Sequence, residues 1–274
     1  MKGARALPMH GVLTLGSAIF LVPFYVMLVM SLKSPEEIAK TNMLSWPQAI
    51  TWDNYREVLT NPGVVFSLLL KNTVLISALS MVGTLISSVM VAYAFARLKF
   101  PGRDRLFLIL LSTMMLPGIV TMIPTYVLFA KLHWVNTFLP LVVPAFLGSA
   151  YNIFLLRQFF LGLPRELDEA ALLDGASHWA ILSRVIVPLS GPALTTVGVF
   201  TFIGAWRDFM GPLLYLNDPE RQTLEVGLRL YKTMNEEQWH LLMAASVMVT
   251  LPLIVLFLVG QKAFVRGIVM TGGK

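Results

Sequence analysis

The sequence predicts an all-α fold, a polytopic membrane helical bundle with six transmembrane helices, and three observations carry that prediction. Hydrophobic residues make up 56% of the 274 and the mean hydropathy is +0.72, whereas a soluble domain is typically about 45–50% apolar even with Gly counted. Charged residues are only 13%, about half the usual share of about 25%, and they cluster between long uncharged runs. Six such runs, 11–32, 72–96, 106–130, 132–156, 185–206 and 238–261, each exceed the roughly 20 residues a helix needs to cross about 30 Å of hydrocarbon. Continuously apolar runs of this length favour helices over barrel strands, which need only about 9–11 residues of alternating pattern.

Taken in order, the first run follows Lys2 and Arg5 as a secretory signal would. It is longer than an h-region of about 7–15 residues and leads into Ser31, Lys33 and Ser34 without a small-x-small cleavage site, so it reads as a retained first helix. The second carries Gly83, Ser87 and Ser88, small residues that let helices approach closely. The third and fourth are separated only by Lys131 and a short polar turn through Asn136, which predicts a tight helical hairpin. Pro117, Gly118 and Pro124 lie in the third, Pro140 and Pro144 in the fourth, and Gly191, Pro192 and Gly198 in the fifth. Gly and Pro are frequent in membrane helices generally, and the Pro117 to Pro124 stretch is read either in that way or as a functional kink lining a path. The whole chain, 1–274, is expected to form a single transmembrane domain.

Lys and Arg resist translocation, so the side that holds more of them is cytoplasmic. Counting alternate connections, twelve of the 21 basic residues fall with the two termini, giving that side +7 against −1 on the other. Both termini are therefore expected in the cytoplasm. The overall +6 charge and pI near 9.7 reflect those loops, and nucleic acid is not an expected partner. The chain has no cysteine and four scattered histidines, His10, His133, His178 and His240, so neither thiolate chemistry nor a metal site is expected. No catalytic constellation emerges: the acids lie outside the apolar runs, which disfavours both an ion-coupled carrier with midplane carboxylates and an intramembrane hydrolase.

The connection 157–188 is longer than a turn requires and carries internal helix signals. Pro164 suits a first helical turn, Glu166, Asp168 and Glu169 suit the positive N-terminal end, and Gly175 suits a left-handed C-terminal cap. Ser177 then caps a second short helix through His178, Trp179, Ile181 and Leu182, with Pro188 at the entrance of the fifth span. Leu167, Ala170, Ala171 and Asp174 share one face by three- and four-residue spacing, and the alanines keep it shallow enough for a partner surface.

Glu169, Ala170 and Ala171, then Gly175 after three residues, then Val185, Ile186, Val187 and Pro188 after nine more, resemble the EAA loop of binding-protein-dependent ABC importer permeases. Val185 and Val187 replace the pattern's Ile and Leu, a mild apolar change. Fragments elsewhere resemble the carbohydrate branch, in particular the smaller permease of the maltose importer: Pro35 and Glu36, the run Ala92 to Arg97 before Phe100, Pro101 and Gly102, and the tail Phe264 to Gly267 leading to Gly272. The resemblance implies a type I importer permease fold with 157–188 as coupling segment. It implies partners as well: a second homologous permease, two ATPase subunits docked on Glu169, Ala170, Ala171, Asp174, Gly175, Val185 and Pro188, and an extracytoplasmic substrate-binding protein, all in membrane lipid. No cofactor is expected in this chain, which lacks a Gly-x4-Gly-Lys-Ser/Thr phosphate loop; ATP and Mg belong to the ATPase partners.

The implied function is ATP-driven import of a carbohydrate, with a non-sugar or an anionic derivative such as a sugar phosphate as the alternative. One departure concerns Arg207 in Ala205-Trp-Arg-Asp-Phe, where such permeases often have Asn. Arg207 is read as pairing with Asp208, as snorkelling to the interface, or as meeting substrate. Asn72, Tyr93 and Asn152 are the other candidates for a path, with interhelical hydrogen bonding as the alternative for each. The connection 207–238 is read either as a contact for the binding protein or as a solvated loop packed on the bundle.

Overall fold

A computed structural model describes residues 6–234 and 238–271, with side-chain surroundings for 10–229 and 238–261. Lys2, Arg5, Gly272 and Lys274, used above for orientation and resemblance, lie outside the described residues. In order, the elements are α1 (Ala6–Ser31), α2 (Pro35–Lys40), α3 (Asp53–Thr60), α4 (Phe66–Arg97), α5 (Arg103–Thr113), α6 (Gly118–Lys131), α7 (Leu139–Val142) running into a 3-10 turn (Val143–Leu147), α8 (Ala150–Leu161) and α9 (Glu166–Leu173). There follow α10 (His178–Ile181), a π segment (Leu182–Ile186), α11 (Val187–Leu189), α12 (Gly191–Trp206), α13 (Met210–Tyr215), a 3-10 turn (Pro219–Arg221), α14 (Leu224–Met234) and α15 (Trp239–Thr271). Among the described residues there is no strand.

Four stretches are long and apolar enough to cross a membrane: His10–Ser31, Phe66–Arg97, Leu139–Leu161 and Trp239–Gln261. Two more apolar stretches are bent pairs, Arg103–Thr113 with Gly118–Lys131 at 95° and His178–Leu189 with Gly191–Trp206 at 81°, and counting each as one span gives the expected six. The continuous runs 106–130 and 185–206 are thus bent pairs, and in the third span the bend falls beside Pro117, within the stretch for which a kink is one reading. Neither α5 nor α6 alone reaches across about 30 Å at 1.5 Å per residue. Pro117, in extended backbone, starts α6 after the break, while Pro124 stays inside that helix. In the fifth span, the π segment precedes Pro188, whose ring and missing N–H disturb the preceding turn, and the break falls at Ser190, whose hydroxyl donates to the Ile186 carbonyl at 2.6 Å. The fourth span starts later than 132: Leu132 ends α6, and His133 and Asn136 adopt positive φ of 58° and 62° to turn the chain.

The described residues group into two compact units, one drawn from Met1–Ser67 and Gly227–Pro252, the other from Leu68–Val226 and Leu253–Lys274. In the first, Lys33 is buried yet satisfied: its three N–H donors reach Thr41 Oγ1 (3.1 Å), the Asn42 carbonyl (2.8 Å) and Ser45 Oγ (2.9 Å). Asn54 Nδ2 donates to the Ser31 and Lys33 carbonyls at 2.8 and 2.9 Å, tying α3 to the end of α1. The second unit is built on α4. Pro144 opens a 3-10 turn in the fourth span, which breaks at Gly148 (φ 99°), and the serines of α4 answer the loosened backbone: Ser80 Oγ donates to the Leu141 carbonyl (3.1 Å) and Ser87 Oγ to that of Ala145 (3.0 Å). Gly83, one turn from each, lets the Phe146 ring lie where a Cβ would be. Hydroxyls and small residues on a neighbour make broken helices tolerable in lipid. Phe95, Phe107, Ile153, Leu156, Phe160 and Ile186 lie in the core at the Arg97 end of α4.

Candidate functional site

The 157–188 connection folds as helix, turn, helix. α9 carries Glu166, Asp168 and Glu169 in its first turn, where carboxylates meet the positive end of the helix dipole; Pro164 lies just ahead of the helix rather than within it. Its end is a Schellman motif: Gly175 N–H donates to the Leu172 carbonyl at 3.0 Å and Ala176 N–H to that of Ala171 at 2.9 Å. Gly175 stands at φ +79°, the left-handed conformation in which a side chain is strained. Ser177 Oγ then accepts from Ala180 N–H at 3.2 Å and caps α10.

This geometry sorts the residues into two faces. Ala171, Ala176, Ile181, Leu182, Val185 and Ile186 pack on the core, so the second half of the motif anchors the segment, while Pro188 is exposed beside it. Leu167, Glu169, Ala170, Asp174 and Gly175 face outward, with Leu173 90% and Trp179 64% exposed at the rim. The face expected to hold Leu167, Ala170, Ala171 and Asp174 together is therefore split, because α9 turns Ala171 and Asp168 towards the bundle.

Asp168 meets a partner that sequence reasoning did not assign to it. Arg97, at the last turn of α4, has a side chain only 3% exposed and reaches Asp168 Oδ2 at 3.3 Å. The same guanidinium donates through Nη2 to the Phe160 carbonyl at 2.7 Å and the Leu163 carbonyl at 3.0 Å. One cation thus joins α4, the end of α8 and α9. The signal was a basic residue at the edge of an uncharged run, where a charge needs a partner; which of several acids it meets was not legible.

The path candidates separate. Asn72, buried near the start of α4, donates to the Glu220 and Gln222 carbonyls, both at 2.9 Å, and beside it Thr73 Oγ1 accepts from Leu224 N–H at 2.8 Å. Tyr93 is buried, its hydroxyl 3.5 Å from His178 Nδ1, and so packs against α10. Asn152 is half-buried on α8. The Arg207–Asp208 pair does not form: Asp208 Oδ1 accepts from Gly211 N–H at 3.1 Å, while exposed Arg207 lies close enough for its charge to act on Glu225. Burial pushes the Asp208 carboxyl above the usual Asp range, against the opposing pull of the Gly211 and Met210 N–H groups. Asn136 is a further organiser: its Oδ1 accepts from Asn217 N–H (3.2 Å) and Asp218 N–H (3.0 Å), and its own N–H donates to the Tyr215 carbonyl (2.7 Å).

Apolar spans, two of them bent, and a helix–turn–helix tied by Arg97 to the end of α4 characterise an integral membrane protein. The family described as binding-protein-dependent transport system inner membrane component matches residues 83–269, and the chain belongs to that family. It is similar to an arabinooligosaccharides transport system permease protein of Halalkalibacterium halodurans, 32% identical over all of both chains. A trehalose/maltose transport system permease protein of Thermococcus litoralis is 35% identical over 91% of this chain and 90% of its own. Among solved structures, a chain of a bacterial ABC transporter involved in the import of the acidic polysaccharide alginate matches with a TM-score of 0.84 at 25% identity, over 96% of this chain and 98% of that one. The chain is thus a multi-pass permease subunit of an ABC importer, a family in which ATP hydrolysis belongs to separate subunits.

Proposed function

We propose that this permease carries a carbohydrate, received from an extracytoplasmic binding protein and moved through a pathway shared with a second homologous permease. Both termini face the cytoplasm, a reading the excess of Lys and Arg in the connections on that side supports, and the whole chain acts as one permease domain. The outward face of α9, with Glu169, Ala170, Asp174 and Gly175 and with Leu173 and Trp179 at its rim, docks on an ATPase subunit; two such subunits serve the permease pair. ATP and Mg are handled there. The observation that carries the docking reading is the exposure of Leu173 and Trp179 on a segment otherwise fastened to the core, since large apolar side chains at a rim mark a surface made for a partner. Closure of the ATPase subunits pulls α9, and the bundle attached to it exchanges inward- and outward-facing arrangements.

Carbohydrate as the substrate rests on the relatives, whose transport systems are described by oligosaccharides and disaccharides. An anionic carbohydrate is the second reading, favoured by the exposed Arg207 and by the acidic polysaccharide of the solved relative. Purification in mild detergent, followed by reconstitution with the accompanying subunits and ligand screening of the binding protein, tests both. The expected result is a complex with a second permease and an ATPase, and ATP-dependent uptake of a neutral or acidic saccharide. Gly175→Leu, which forces a side chain into left-handed backbone at about 1–2 kcal/mol, is expected to lower uptake; solute transport by the purified chain alone would contradict the proposal.

A further inference from the structure

We infer that α4 is the transmitting rod of this subunit, with a polar latch at each end: Arg97 on the coupling segment and Asn72 with Thr73 on the opposite connection. The inference rests on the docking reading of α9. α4 is one uninterrupted helix of 32 residues, about 48 Å at 1.5 Å per residue, with no proline to hinge it.

At its C-terminal end the Arg97 guanidinium holds Asp168 of α9 and the last carbonyls of α8 at once. A buried cation with a carboxylate and two carbonyls as its partners has no alternative solvation, so displacement of α9 away from α4 exposes an unpaired charge and is opposed. Displacement of α9 together with α4 is not. At the N-terminal end Asn72 and Thr73 take up three backbone groups of residues 220–224, so the connection after α12 follows α4 as well. Between the latches, Ser80 and Ser87 hold the broken fourth span. The rod therefore moves with what it is fastened to.

The Arg97 latch is also incompletely engaged. It has one carboxylate contact, of 3.3 Å, while Arg97 Nε and Asp168 Oδ1 lie buried with no hydrogen-bond partner. Hydrogen-bonding capacity thus remains on both sides of the pair, which a closer approach of α9 would bring into use. This makes Arg97 and Asn72 positioning residues: through their backbone and carboxylate partners they make two distant segments move as one.

The test uses the complete importer in proteoliposomes and reads the ratio of binding-protein-stimulated to unstimulated ATPase rate, a ratio that loss of folded complex does not alter. Arg97→Met, Asp168→Asn and Asn72→Leu are each expected to lower that ratio about tenfold, the scale of a coupling free energy of 1–2 kcal/mol, with the ATPase subunits still co-purifying. Arg97→Lys, which keeps the charge but not the planar fork, is expected to fall between. Combining Arg97→Met with Asn72→Leu is expected to cost little more than either alone, because one broken latch already disconnects the rod. A wild-type ratio in the single variants, or stimulated and unstimulated rates falling in equal proportion, overturns the inference. If Gly175→Leu and Glu169→Lys uncouple the complex while the latch variants do not, the rod fails and docking stands. If those two variants also leave coupling intact, the docking reading falls and the rod with it.

Discussion

Arg207 and Asp208 are adjacent in sequence, which invites an ion pair, yet neighbours at the end of a helix point in different directions. Asp208 instead turns back to accept from Gly211 N–H, and the close approach leaves no room for a Cβ at Gly211. Burial, the larger influence, raises the Asp208 pKa, and the two backbone N–H groups offset it only in part. A carboxyl whose pKa is raised by folding stabilises the fold most when protonated. Its contribution is complete below the ordinary Asp value of about 3.9 and is lost as pH rises through the raised one. Asp208→Asn keeps an oxygen for Gly211 and removes the charge. A higher thermal midpoint than wild type is expected at about pH 7, shrinking towards about pH 4; a difference independent of pH would count against this account. Gly175 is the contrasting case, because a glycine following an amphipathic turn reads directly as a left-handed cap, and φ of +79° agrees.

Among the elements, the long apolar runs were legible because span length follows from the thickness of the hydrocarbon core. The breaks were only partly so. Pro117, Pro144 and Pro188 announce local disturbance, but not the size of the bends, 95° in the third span and 81° in the fifth, nor what a neighbouring helix offers to loosened backbone. For the fourth span that offer is the Ser80, Gly83, Ser87 face of α4, which composition alone presents as ordinary small-residue packing. Its parts differ in kind, and so do the expected losses. Ser87→Ala removes one hydroxyl donor and is expected to destabilise by about 0.6 kcal/mol. Gly83→Val places atoms inside the Phe146 ring and is expected to destabilise by about 1–3 kcal/mol. Thermal melts of both variants in the same detergent check the order; equal losses would show that α4 does not approach the broken span this closely. The split of the α9 face has a similar origin: spacing places Leu167, Ala170, Ala171 and Asp174 together, while the Arg97–Asp168 contact and the packing of Ala171 on the core set which way the helix is rolled.

For the whole molecule, the reading from sequence to importer subunit runs through a single segment. Hydropathy led to a multi-pass bundle; the spacing from Glu169 to Pro188 pointed to the family that the match over residues 83–269 establishes. The partners proposed for it are separate polypeptides, so their surfaces leave no trace in this sequence. The segment proposed to meet the ATPase subunit is packed on the core through Ala171, Ile181 and Ile186 and leaves Leu173 and Trp179 exposed. Because the chain has no cysteine, a single Leu173→Cys variant carries a photoactivatable maleimide at one position only. Irradiation of the assembled importer is predicted to join this residue to an ATPase subunit, with a yield that changes when ATP is added; labelling of other chains or lipid alone, in a complex that still contains the ATPase, would contradict the account.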